Sequence, residues 1–160
     1  MNAPVLSPAD LPAALRALEG ASEDTLLLAG GTDLMVEFES GRTTPRDIID
    51  LWSVDELRGI QRADGGLRLG SLTTCSDLLA SALAREHAPA LVAAADEVGA
   101  EQIKNRATIG GNLGTASPAA DLNPVLFALG AKVRLLSVSD ERELPVTEFV
   151  TGYRATARHL

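Results

Sequence analysis

Thr25-Leu26-Leu27-Leu28-Ala29-Gly30-Gly31-Thr32-Asp33-Leu34 is the stretch from which the rest of the chain can be read. Its first half is a short continuous apolar run, the pattern of a strand buried on both faces. Its second half is a set of small and polar residues that stops the strand. A short helix over 33–40 is expected next, ended by Gly41. A second apolar run, Asp47-Ile48-Ile49-Asp50-Leu51, predicts another buried strand. Upstream, Ser7 is expected to cap a helix with Pro8 at its first position. That helix carries Leu11, Ala14, Leu15 and Leu18 on one stripe and stops at Gly20. Helix, strand, helix, strand is the rhythm of a small α/β lobe.

After residues 52–58 the rhythm changes. Gly59-Ile60-Gln61-Arg62-Ala63 and Leu67-Arg68-Leu69-Gly70-Ser71 alternate apolar and polar residues around Asp64-Gly65-Gly66, which is a hairpin signal. Helices are predicted over 76–85 and 88–98, and a Gly/Ser/Thr-rich loop over 108–118. A further helix over 119–129 places Leu122, Val125, Leu126 and Leu129 on one stripe and is closed by Gly130. A strand over 131–138 and a turn at Asp140-Glu141 follow, and 146–160 shows no clear period. The expected class is α+β. A small α/β lobe (1–55) precedes a larger lobe (56–160) with a mixed, mostly antiparallel sheet and flanking helices.

Composition narrows what such a chain can do. Its 160 residues are 46% hydrophobic and 22% charged, ordinary globular usage that argues against a disordered chain. With 14 Lys and Arg against 22 Asp and Glu, the net charge is −8, which disfavours binding to phosphate backbones of nucleic acid. A membrane-surface helix would need a basic stripe that is missing. The single cysteine, Cys75, excludes an internal disulfide, and no zinc-ligand spacing is visible. An iron–sulfur cluster would have to sit in another chain. No signal peptide or membrane-spanning run is visible, so a cytoplasmic location is the expectation.

Two glycine-rich segments could carry chemistry. One is Ala29-Gly30-Gly31-Thr32-Asp33-Leu34; the other is Thr108-Ile109-Gly110-Gly111-Asn112-Leu113-Gly114, after Lys104-Asn105-Arg106. Successive small residues let backbone N–H groups converge on an anion with no side chain in the way. A helix start at Asp33 would add positive potential at the same place. Phosphate or pyrophosphate is the ligand that such neutral donors suit. The dinucleotide fingerprint fails because Ile109 stands where a glycine is needed, and neither a P-loop nor a nucleophile-elbow motif occurs.

Together with Ala116-Ser117-Pro118-Ala119-Ala120-Asp121, and with Ile103-Lys104-Asn105-Arg106-Ala107 before the second segment, these residues resemble the flavin domain of molybdenum hydroxylases. This is the xanthine dehydrogenase and carbon monoxide dehydrogenase medium-subunit family, with the PCMH-type FAD-binding fold. Gly70-Ser71-Leu72-Thr73-Thr74 and Phe149-Val150-Thr151-Gly152-Tyr153-Arg154 are similar to further family segments. The resemblance implies that Ala29, Gly30, Gly31, Thr32, Asp33 and Leu34 wrap the FAD pyrophosphate. It implies that Thr108, Ile109, Gly110, Gly111 and Asn112 hold phosphate and ribityl oxygens. Asp121 would meet flavin hydroxyl groups, Val98 would lie near the isoalloxazine ring, and Thr74 and Ser117 would offer polar contacts. No catalytic side chain and no metal ligand are implied; the cofactor carries the chemistry.

The implied role is electron transfer in an oxidoreductase. A molybdopterin-binding large subunit would oxidise the substrate and a [2Fe–2S] small subunit would relay electrons. FAD would then pass them to NAD⁺ or another acceptor. Family members usually continue with a C-terminal domain, whereas this sequence stops at Leu160. Two other roles fit the same residues: a nucleotide-binding module without redox activity, and an interaction subunit without cofactor. Each residue also has a structural alternative. Asp33 and Asp121 can cap helices, Asn112 can be a turn residue, and Lys104 and Arg106 can be solvated charges. Cys75 can be a small buried hydrophobe, His87 a surface residue, and Tyr153 a packing residue.

Overall fold

The computed structural model describes residues 3–158. The first part is a parallel sheet of β1 (Val5–Leu6), β2 (Thr25–Leu28) and β3 (Asp47–Asp50), in the order β1-β3-β2. Two helices connect the strands, α1 (Leu11–Glu19) and α2 (Leu34–Glu39). The expected rhythm is therefore present, with two corrections. The cap of α1 is Asp10, not Ser7: Asp10 has an extended backbone, and its side chain accepts from Ala13 N at 2.7 Å. The buried central strand is β3, with Ile48 and Ile49 in the core, whereas β2 is an edge strand whose Leu27 is 40% exposed. Apolar content alone does not distinguish an edge from a centre; sheet order does.

The hairpin forms as read, from β4 (Ile60–Ala63) and β5 (Gly66–Leu69). Helices then dominate: α3 (Cys75–Ala80), α4 (Ala82–His87), α5 (Pro89–Glu97), α6 (Glu101–Lys104), α7 (Ile109–Thr115) and α8 (Leu122–Ala128). The single helix expected over 76–85 is two. Ser81 leaves helical geometry at ψ 119° and caps α4 by accepting from Ala84 N at 3.1 Å. The helix expected from residue 119 starts at Leu122; Leu122 and Leu126 are buried, but Leu129 is 51% exposed beyond its end.

The larger correction concerns 108–118, expected as a loop. Residues 109–115 are helical despite Gly110, Gly111 and Gly114. Tertiary contact overrides poor intrinsic propensity here. Ile109 and Leu113, one turn apart, are buried in the core, and the Thr108 hydroxyl caps the helix by accepting from Gly111 N at 3.0 Å. The chain closes with β6 (Lys132–Leu136), β7 (Glu141–Pro145), α9 (Val146–Phe149), β8 (Val150–Gly152) and β9 (Ala155–Thr156). Glu141, expected in a turn, begins β7, and the tail without period holds a helical turn and a ribbon. Among the described residues the antiparallel strands form three separate two-stranded ribbons. They pack on a helical core that includes Leu78, Leu91, Leu122 and Phe149. No helix among the described residues is long and apolar enough to cross a membrane.

Candidate functional site

The first glycine-rich segment meets the residues that lead into the second, backbone to backbone. A Cβ placed on Gly30 would lie 1.7 Å from the carbonyl oxygen of Arg106. No side chain can occupy that position, so glycine is dictated by chain contact there. The same holds at Gly110, where a Cβ would lie 2.7 Å from both Cβ and O of Ser71. The contact is reinforced from the side chain of Arg106, whose Nε donates to Gly30 O at 3.2 Å. Its guanidinium lies 3.6 Å from the ring centroid of Trp52, just after β3. Arg58 lies over the same ring at 4.4 Å and donates to Trp52 O at 2.6 Å. Arg106 is exposed, yet its side chain is committed to Gly30 and Trp52, so it clamps the first loop to the end of the sheet.

Where the donors point separates the two segments. Among the described residues, the N–H groups of Gly30, Gly31, Thr32 and Asp33 donate to no protein acceptor. Gly31 has φ +79° and Asp33, two residues on, is right-handed, a change of hand of the kind anion-binding nests use. The second segment differs from expectation. Ile109 N donates to Thr73 O at 3.0 Å, Gly110 N to Ser71 O at 2.8 Å, and Asn112 N to Thr108 O at 2.9 Å. With Gly111 N on the Thr108 hydroxyl, its donors are spent inside the protein. Gly110 serves close docking on Ser71, whereas a Cβ on Gly111 would meet the Thr108 hydroxyl at 2.9 Å and one on Gly114 would meet nothing within 4 Å.

What this segment offers instead is an acceptor. The side-chain oxygens Oδ1 of Asn112 and Asn123 are buried without a hydrogen-bond partner among the described residues. Asn123, 4% exposed, orients itself by donating from Nδ2 to Asn112 O at 3.4 Å. Buried amide oxygens of this kind call for a donor such as a hydroxyl group. Asp121 precedes α8, is exposed, and makes no cap bond, hydrogen bond or ion pair among the described residues. Its carboxylate is free for a hydroxyl donor.

The other expected positions take structural places. Thr74 is a capping residue: its hydroxyl accepts from Asp77 N at 3.0 Å, and its own N–H donates to the Asp77 carboxylate at 2.8 Å. It also bridges to Thr108, so the caps of α3 and α7 stand side by side. Val98 is buried in the core at the end of α5, and Ile109 is a core side chain. Ala29, Thr32 and Leu34 are half-buried along the first loop. The Ser117 hydroxyl accepts from Ala119 N at 3.2 Å. Lys104 is committed to Asp96 at 2.9 Å, and that hydrogen bond raises its pKa. Cys75 is fully buried; burial first, and the charge of Asp121 second, push its thiol pKa up. Residue reading missed the roles of Trp52, Asn123 and Arg154. Arg154 pairs with Asp33 at 3.4 Å and also with Glu37, and it donates from its backbone to Ala116 O at 3.1 Å. A lone tryptophan beside a sheet end was the available signal for the first; nothing in the sequence marked the second.

Comparison with known proteins identifies the family of the chain. The family model described as "FAD binding domain in molybdopterin dehydrogenase" matches residues 1–160. The "Xanthine dehydrogenase FAD-binding subunit" of Escherichia coli O157:H7 is 39% identical over 127 residues, covering 79% of this chain and 44% of that protein. The "Nicotinate dehydrogenase FAD-subunit" of Eubacterium barkeri is 37% identical over 126 residues, covering 79% of this chain and 43% of that protein. Among solved structures, carbon monoxide dehydrogenase from Hydrogenophaga pseudoflava superposes with a TM-score of 0.94 at 28% identity, over 98% of this chain and 55% of that chain. The chain thus spans about half the length of the relatives it matches.

Proposed function

From a chain that belongs to the family of FAD-binding domains in molybdopterin dehydrogenase, we infer the flavin-binding part of a molybdopterin-dependent oxidoreductase. The observation that carries this reading is the run of free N–H groups from Gly30 to Asp33, closed from behind by Arg106. Free backbone donors suit the FAD pyrophosphate, because they bring no side chain and need no cation from an acidic protein. The residues fit the rest of the cofactor as well. The unpartnered oxygens of Asn112 and Asn123 and the free carboxylate of Asp121 accept from hydroxyl groups, which the ribityl chain supplies. Thr74, Val98 and Thr108 to Gly111 then act as the wall that holds these acceptors in place.

FAD supplies the redox chemistry when bound, and the chain's own residues bind and orient it. No side chain in the cluster is required as acid or base. A molybdopterin-binding subunit and a [2Fe–2S] subunit are the partners of this reading, with NAD⁺ or another acceptor receiving the electrons. The reading also keeps a division of the chain at residues 55 and 56. The test is a visible absorption spectrum of the purified chain, followed by FAD titration. Saturable binding with a flavin spectrum is expected, and Gly31→Val removes it, since a branched side chain at φ +79° distorts the nest. A chain that stays colourless at saturating FAD overturns the reading.

A further inference from the structure

The nest carries a charge problem of its own. Asp33 closes it, and Glu37 lies one turn further along α2, so two carboxylates stand beside donors meant for an anion. Arg154 answers both. Its Nη1 and Nη2 lie 3.4 Å from the two oxygens of Asp33, and Nη1 also pairs with Glu37. The arginine is held from its backbone. It has φ +50°, and its N–H donates to the carbonyl of Ala116, itself at φ +46°. Two non-glycine residues in left-handed geometry bonded to each other mark a place where the surrounding structure, not local preference, sets the backbone. Arg106 touches the loop only at the Gly30 carbonyl and lies on Trp52, and Lys104 is paired with Asp96.

We propose that Arg154 is the charge-compensating positioning residue of the pyrophosphate loop. It offsets part of the negative charge of Asp33 and Glu37, so that the Gly30–Asp33 donors accept a dianionic ligand, and it ties the β8–β9 ribbon to that loop. The inference rests on the FAD reading above. It goes further by separating the anionic from the neutral parts of the ligand: loss of Arg154 acts on pyrophosphate and leaves the flavin ring system alone.

The experiment titrates the chain and its variants with FAD, ADP and riboflavin, at about 50 mM and about 500 mM salt, the higher salt screening exposed charges. Arg154→Ala weakens FAD and ADP about tenfold at low salt, the gap narrows at high salt, and riboflavin is unaffected. Arg154→Lys stays within about threefold of the parent, since it keeps the charge. Glu37→Gln added to Arg154→Ala recovers at least about threefold, because it removes part of the repulsion. If Arg154→Ala does not fold, Glu37→Gln alone carries the test: tighter ADP binding at low salt is expected, and unchanged binding overturns the proposal. A salt-independent loss shared by riboflavin, or no recovery in the double variant, also overturns it. Parent chain that binds neither FAD nor ADP sinks the flavin reading and this inference together. Parent chain that binds FAD while Arg154→Ala binds it equally well sinks only this one.

Discussion

Arg106 shows how much one residue can carry at a crossing of two chain segments. Its carbonyl sets the glycine at 30, its Nε holds the Gly30 carbonyl, and its guanidinium lies on Trp52. Lysine in its place keeps a charge but loses the planar group that stacks and donates at once. Arg106→Lys is expected to weaken FAD binding roughly fivefold, about 1 kcal/mol, the scale of a guanidinium–indole contact. Trp52 is the chain's one tryptophan, so its emission reports the same loss of contact without any added probe. Unchanged emission and affinity would show that the clamp is not held by stacking. Gly30→Ala acts more severely. A Cβ at 1.7 Å from a backbone oxygen forces the segments apart, and a thermal melt is expected to fall by more than the roughly 1 kcal/mol typical of point substitutions. Equal melting of Gly30→Ala and the parent would contradict the close approach.

At the scale of elements, α7 is the informative case. Its sequence is that of a loop, and it is a helix because its first turn is paired from outside. Carbonyls of Ser71 and Thr73 take two of its N–H groups and the Thr108 hydroxyl takes a third. Unpaired N–H groups at a buried helix start would otherwise cost free energy each. Thr108→Ala removes the cap and is expected to lower stability by about 1 kcal/mol, whereas Thr108→Ser keeps the hydroxyl and most of the stability. Denaturant unfolding of the pair checks this, and equal loss in both variants would place the effect in the lost methyl group. Thr74 works in the same way directly across an isolated bridge from Thr108, so the caps of α3 and α7 stand side by side.

At the scale of the whole molecule, Cys75 is a built-in reporter. It is the single cysteine and is fully buried, and burial followed by Asp121 raises its pKa. Alkylation is therefore expected to wait for unfolding. A ligand that binds only the folded chain stabilises it by mass action, so FAD at about 100 times its dissociation constant slows labelling on the order of 100-fold. Rapid labelling of the native chain would contradict the burial. The pH sense follows from the raised thiol. Its contribution is complete below the ordinary thiol value of 9.0 and is lost as pH climbs past it, because the unfolded thiol ionises first.

Residue order alone determined the α/β opening, the hairpin around Asp64-Gly65-Gly66, and the position of the first glycine-rich loop, because each is written in local patterns of apolar runs and small residues. It did not determine that 109–115 is a helix, that β2 is an edge strand, or that helix 76–85 breaks at Ser81. Those depend on partners supplied from elsewhere in the chain: carbonyls at 71 and 73, the order of strands in the sheet, and a serine able to cap the next helix. The site divides in the same way. Gly30 and Gly31 are legible as a loop, since small residues in succession stop the strand, whereas tertiary contact decides that their donors stay free while those of Gly110 and Gly111 are spent. The clamp of Arg106 on Trp52, the bridge of Arg154 to Asp33, and the hydrogen bond from Asn123 to the Asn112 carbonyl join residues far apart in the chain or on different helices. Such contacts leave no periodic trace in a sequence, because the energy that selects them is gained only when distant segments are brought within hydrogen-bonding or van der Waals reach.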